Sequence, residues 1–338
     1  MLQAICSCTI LLSVVIFAAM ITSASAQLPI PSQSSTINNF TQIDYPKANS
    51  TISAGINDVG KIVGMYVDSS LNQHGFLFSS GKYASINYPG ASSTTVAGIN
   101  NVGKMVGYFT DSSKSLHGFV LSSGNYTQID CPKASDTLAL GINNAGKIVG
   151  YYTDSSKNQH GFVLTSDGFY KIDYPGSIAT LAFGINNVGQ IVGTYIDSSK
   201  NPHGFLFSSG NYTSIDYPSA AVTTTAGIND VEQIVGMYID NSRNQHGFLF
   251  SSGNYSAIDY PGANSTSGTG INNAGQLVGM YVDTSLNQHG FLRTATTVRT
   301  PPEFALVIGG AITASVIGVI VVSRKYVKFL LGQTKEKI

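Results

Sequence analysis

The chain has 338 residues, with 18 basic and 18 acidic side chains, no net charge and only 11% charged residues. A surface so sparse in cations offers no basic face to grip phosphates, which argues against nucleic-acid binding. Hydrophobic residues make up 43% of the chain, enough for a core, and the wealth of Gly, Ser, Thr, Asn, Tyr and Phe favours strands joined by tight turns.

The first element is an apolar run from Ile10 to Ile21, followed by small residues with Ala24 and Ala26 in the pattern read by signal peptidase. A signal peptide is therefore predicted over 1–26, cleaved after Ala26, with a short linker over 27–38. Cys6 and Cys8 fall in this leader, so the mature chain would keep only Cys131 and no intrachain disulfide framework is possible. Cys131 stands where the other five repeats carry tyrosine, which marks it as a packing position rather than a reactive thiol.

Residues 39–295 form a repeat array. All six histidines, His74, His117, His160, His203, His246 and His289, are 43 residues apart, and each opens a His-Gly-Phe triplet. Each also follows a Gly-Ile-Asn triplet by 19 residues, beginning at Gly55, Gly98, Gly141, Gly184, Gly227 and Gly270. One unit contains four strand candidates bounded by turn signals: Thr51 to Asn57, Lys61 to Asp68, His74 to Ser79 and Lys82 to Pro89. Four short strands in a period of this length describe a propeller blade. The second strand is apolar on both faces, as suits a sheet sandwiched between neighbours. Gly64 and Phe76 recur in every unit, one as a point of close backbone approach and the other as core.

The array opens on a lone fourth-strand sequence, Asn39 to Pro46, and ends on a lone third strand, His289 to Thr294. Each orphan completes the other. The predicted fold is thus all-β, a six-bladed β-propeller closed by its N-terminal strand, which also removes two raw sheet edges.

On one face of such a ring the second-to-third strand loops meet the fourth-strand exits, and these longer loops are where a ligand is expected. The pairs Asp68 and His74, Asp111 and His117, Asp154 and His160, Asp197 and His203, Asp240 and His246, and Asp283 and His289 fall there. Five further acids recur at the fourth-strand exit, Asp44, Asp130, Asp173, Asp216 and Asp259, with Asn87 in the sixth place. These residues can be read as metal ligands, as an acid–base pair or as a structural network in each blade. One carboxylate per loop and no terminal Glu make a weak hard-cation site. Catalysis needs one asymmetric constellation, whereas these residues are repeated six times. A structural network is the favoured reading, with no catalytic residue, metal or cofactor expected. The acids left over in the array are Asp58, Asp136, Asp167, Asp230 and Glu232, mostly in separate turns.

Asn-x-Ser/Thr sequons at Asn39, Asn49, Asn125, Asn211, Asn254 and Asn264 are candidate N-glycosylation sites in an exported chain.

After a Pro-containing linker over 296–303, residues 304–322 run for 19 residues without a charge, about the length needed to span a bilayer as a helix. Arg324, Lys325 and Lys328 follow, so the 323–338 tail is expected to be cytoplasmic and the array outside.

The Pro302-Glu303-Phe304 motif, apolar segment and basic tail resemble the PEF-type C-terminal sorting signals of archaeal surface proteins. That resemblance implies removal of the tail by an archaeosortase and its replacement by a lipid anchor, the alternative being a plain transmembrane helix. Over residues 40–294 the Gly-Ile-Asn, Ile-Val-Gly and His-x-Phe motifs resemble the HAF family of probable extracellular repeat proteins, although glycine here stands where that family has alanine. The resemblance implies an exported repeat protein and supplies no catalytic residues. The expectation is a non-enzymatic, membrane-anchored surface protein for adhesion, envelope structure or binding of surface glycans or proteins. The alternative is a secreted propeller enzyme, a metal-assisted hydrolase or lyase acting on envelope polymers.

Overall fold

The computed structural model describes residues 34–299. The predicted signal peptide, the apolar segment at 304–322 and the basic tail lie outside the described residues. Every regular element among the described residues is a β-strand, and these form six four-stranded antiparallel sheets. The first blade is β2 (Ser50–Ile56), β3 (Ile62–Val67), β4 (Gln73–Ser79) and β5 (Lys82–Ile86), paired in that order. Four blades on the same plan follow: β6–β9 (93–129), β10–β13 (136–172), β14–β17 (179–215) and β18–β21 (222–258). The sixth combines β22 (Ser265–Ile271), β23 (Leu277–Val282) and β24 (Gln288–Arg299) with the N-terminal β1 (Ser34–Gln42), in the order β1-β24-β23-β22. The array is therefore closed by its N-terminal strand. The closing strands overrun the predicted limits of 39 and 295 at both ends.

The predicted fourth strand is shorter than expected, ending at Ile86 rather than Pro89. Pro89 has no N–H to give a ladder, and the chain turns there, with Ala91 N–H donating to Tyr88 O at 3.2 Å. In each first-to-second strand pair the register slips before the repeated glycine, as between Ser53 and Gly55, a bulge that bends the innermost strand around the axis.

The core lies between blades. Val63 of the first blade packs with Val96, Phe109 and Phe119 of the second, and Val278 of the sixth packs with Ile62 and Phe76 of the first. Phe76 and its five copies, Phe119, Phe162, Phe205, Phe248 and Phe291, are all fully buried. Beside each ring sits a glycine with no room for a side chain: a Cβ on Gly64 would run into the Ile52 carbonyl and the Phe76 ring. At the axis, a Cβ on Gly55 would meet Ala97 O at 2.9 Å, so glycine lets the six inner strands converge.

The blades are also stitched at the fourth-strand exit. Tyr45 stacks on Tyr66 with centroids 3.6 Å apart, and Tyr88–Phe109, Tyr174–Tyr195, Tyr217–Tyr238 and Tyr260–Tyr281 repeat the stack at 3.6–3.7 Å. The backbone N–H of each exit residue donates to a buried threonine hydroxyl, as from Tyr88 to Thr94 at 3.0 Å. Cys131 keeps that bond, to Thr137 at 3.0 Å, and lies buried in the place of the tyrosine missing from the second-blade exit. Burial pushes its thiol pKa up, away from the reactive thiolate.

Candidate functional site

The longer loops lie on one face of the ring, at the far ends of β3 and β4. Each is a compact turn: Asp68 Oδ1 accepts from Ser70 N–H at 2.8 Å and Asn72 N–H at 2.9 Å. The six Asp–His pairs named from sequence meet there, with histidine Nε2 3.1–3.5 Å from Asp68, Asp111, Asp154, Asp197, Asp240 and Asp283. On its other side each imidazole reaches the fourth-strand exit. Nδ1 of His117, His160, His203, His246 and His289 lies 2.7–3.2 Å from Asp130, Asp173, Asp216, Asp259 and Asp44. His74 meets Asn87 Oδ1 at 2.9 Å instead. The His289–Asp44 contact spans the ring closure.

The charges of these clusters are mutually tuned. Asn72 N–H and then His74 hold the Asp68 pKa at about 2. Asp111, Asp154, Asp197, Asp240 and Asp283 are likewise lowered, first by the backbone N–H of the residue four further on. Burial alone would lower the His117 pKa, but the hydrogen bond and charge of Asp130, backed by Asp111, raise it. Asp44 and Asp283 do the same for His289.

The copies differ one step further out. The fourth residue of each loop has positive φ, and its occupants are Leu71, Lys114, Lys157, Lys200, Arg243 and Leu286. All are exposed. Blades two to five thus present an arc of four cations, while the adjoining blades six and one present leucines that are each 77% exposed.

The opposite face carries the tight turns, which converge on the axis in two closed circles. Asn57, Asn100, Asn143, Asn186, Asn229 and Asn272 each donate through Nδ2 to the backbone carbonyl of the next, at 3.0–3.2 Å, the last returning to the first. Outside them, the N–H groups of Asp58, Asn101, Asn144, Asn187, Asp230 and Asn273 each donate to the next side-chain Oδ1 at 2.8–2.9 Å, again closing. Two of the five spare acids, Asp58 and Asp230, therefore share one rim, around a hole of about 70 Å³. Asn273 Nδ2 bridges them, at 3.0 Å from Asp58 and 2.8 Å from Asp230. Burial would raise the Asp230 pKa, but donors from Asn187 and Asn273 bring it below the ordinary value. Glu232 takes the turn-glycine place with φ 60° and accepts from Gln190 Nε2. The signal for this rim was the shared repeat position of Asp58 and Asp230: any residue at that position must face the axis in a closed ring.

On the long-loop side the channel widens into a funnel of about 600 Å³. Its wall includes Leu181, Phe183, Met237 and Met280 and no charged residue. The glycosylation candidates all lie exposed. Asn125, Asn211 and Asn254 open the outermost strands β9, β17 and β21. The amides of Asn49 and Asn264 are engaged, donating to Asp68 O and Asp283 O at 3.0 Å. Asn39 lies on β1.

No family model matches the chain, and no curated protein is similar to it. Among solved structures, AofleA from Arthrobotrys oligospora is similar over 80% of this chain and 94% of its own, at 10% identity and a TM-score of 0.51. The fucose-specific lectin from Aleuria aurantia is similar over 77% of this chain and 100% of its own, at 11% identity and a TM-score of 0.47. The β-propeller domain of the Trilobed protease from Pyrococcus furiosus is similar over 78% and 99%, at 10% identity and a TM-score of 0.46. At these identities the likeness is one of fold.

Proposed function

We propose that this chain is a non-enzymatic surface protein that presents its long-loop face to acidic polymers, such as anionic surface glycans. The cleavable leader predicted over 1–26 would direct export, and the apolar segment over 304–322, kept as a helix or exchanged for a lipid anchor as in PEF-type signals, would hold the chain at the outer face of a membrane. The resemblance to HAF repeats fits an exported role.

The observation that carries the reading is the arc of Lys114, Lys157, Lys200 and Arg243. A left-handed backbone costs an ordinary residue about 1–2 kcal/mol that glycine escapes. Not one of the six copies carries glycine there, and four carry a cation directed at solvent. The histidine clusters support a scaffold role, since six equivalent sets of side chains fasten six blades and offer no single asymmetric acid–base pair.

The test uses the full chain in phosphatidylcholine vesicles, offered an array of neutral and acidic glycans at low and high salt. Saturable retention on acidic glycans is expected, weakened by salt and by the triple variant K114E/K157E/K200E. Equal retention on neutral glycans, or release of cleaved product, would overturn the proposal.

A further inference from the structure

The funnel is where the repeats differ most in what they turn towards the axis. At the fourth residue of the second strand the six copies carry Met65, Tyr108, Tyr151, Thr194, Met237 and Met280. Tyr108 and Tyr151 lie beside each other, and burial together with Tyr108 pushes the Tyr151 hydroxyl pKa up. Neither tyrosine lines the cavity, whereas Thr194, Met237 and Met280 do. At the third residue of the first strand, repeats five and six carry the smaller Thr224 and Ser267 where repeats one, three and four carry Ile52, Leu138 and Leu181. The result is an off-axis hollow bounded mainly by the last three repeats.

We infer that this hollow binds one uncharged, largely apolar small molecule. Its volume falls within the roughly 300–1,000 Å³ of ligand pockets. Its wall is dominated by Leu181, Phe183, Ile196, Met237 and Met280, and methionine pairs adapt to varied apolar shapes. Water there finds few of the two to four polar partners that hold it firmly, so an apolar occupant gains by displacing it. A charge would be desolvated with nothing to pair with. One polar atom is accommodated: Thr194 is 5% exposed and its hydroxyl has no hydrogen-bond partner among the described residues. This site does not depend on glycan binding by the loops above it.

The fold itself supplies the test, because repeats two and three already house tyrosine where repeat four has Thr194. The full chain in phosphatidylcholine vesicles is photolabelled with benzophenone, which is uncharged and inserts at methionine side chains. Labelling is read at Met237 and Met280 against Met65, which has the same register but lies outside the cavity wall. At least tenfold more label at Met237 and Met280 is expected. It should fall at least tenfold in T194Y and in wild type saturated with N-phenyl-1-naphthylamine. Label no greater than at Met65, or undiminished by that competitor, would overturn the inference. Should T194Y fail to fold, competition in the wild type decides alone.

Discussion

Lys157 sits in a loop that its own backbone disfavours, at φ 69° with the side chain exposed. Its N–H closes the turn by donating to Asp154 O at 3.1 Å, a bond that glycine would keep. Lys157→Gly should therefore raise stability by about 0.5–1 kcal/mol, from relief of left-handed strain offset by a freer unfolded chain. The same change should weaken retention on acidic glycans. Denaturant unfolding and glycan retention, measured on one preparation, check the two effects together. A variant that is both more stable and fully retentive would leave the lysine without a reason to be there. Asn100 is the opposite case, a buried side chain that satisfies backbone on two turns at once. It donates to Asn143 O at 3.2 Å and accepts from Lys104 N–H at 2.9 Å. Asn100→Ala strands both groups, and a loss of about 2–4 kcal/mol is expected in the same denaturant measurement. Asn101, its exposed neighbour in the outer circle, should be far more tolerant.

At the scale of the blade, the histidine clusters join the ends of the second, third and fourth strands, and their titration sets a pH window for stability. The Asp68 pKa, near 2 when folded and near 3.8 when unfolded, adds stability that is present above about pH 4 and lost as pH falls towards 2. The five sibling aspartates shift in the same direction. His117 and His289 work in the opposite sense. Their folded pKa values lie above 6.5, so their contribution is complete below that pH and fades as pH rises through the folded values. Melting temperature should peak between about pH 4 and 6.5 and decline on both sides. Replacing Asp111 and His117 together should flatten the second blade's share of both slopes, and a profile unchanged by that double variant would remove these clusters from the account of stability. Much of this was legible in the sequence, because an exact period places every His near the same Asp in each copy. Within the first blade the strand limits were also legible to within a residue or two, except that the fourth strand stops at Ile86, ahead of Pro89. The closing strands β1 and β24 run up to five residues beyond their predicted ends. The meeting of Asp58 with Asp230 was not legible from the turns taken singly, only from their shared repeat position, because turns far apart along the chain become neighbours only when the ring shuts. Nor was the funnel, whose volume depends on which of several small residues face the axis together.

For the whole molecule the decisive element is the shortest-range oddity in the sequence, a fourth strand placed before any first. Six blades in an open row would have two exposed ends, each able to fray or to pair with another chain. β1 removes both ends. Phe40 packs on Tyr260 and Phe291 with centroids 5.3 and 5.6 Å apart, and Asn38 Oδ1 accepts from Arg293 Nη2 at 2.6 Å. Arg293 is only 6% exposed, and burial lowers its pKa, so losing that acceptor would leave a charge poorly satisfied as well as an open edge on β24. Deleting residues 34–42 removes the aromatic anchor, the arginine's partner and the edge cover in one step. Phe40 is half-buried, so its own share falls below the roughly 3–5 kcal/mol that loss of a fully buried Phe costs. The closed ring should then give way to an array that unfolds over a broader range of denaturant and associates through β24. Light scattering and the width of the unfolding transition test both consequences. A monomer that unfolds as sharply as the intact chain would mean that the inter-blade cores hold the ring without its closing strand.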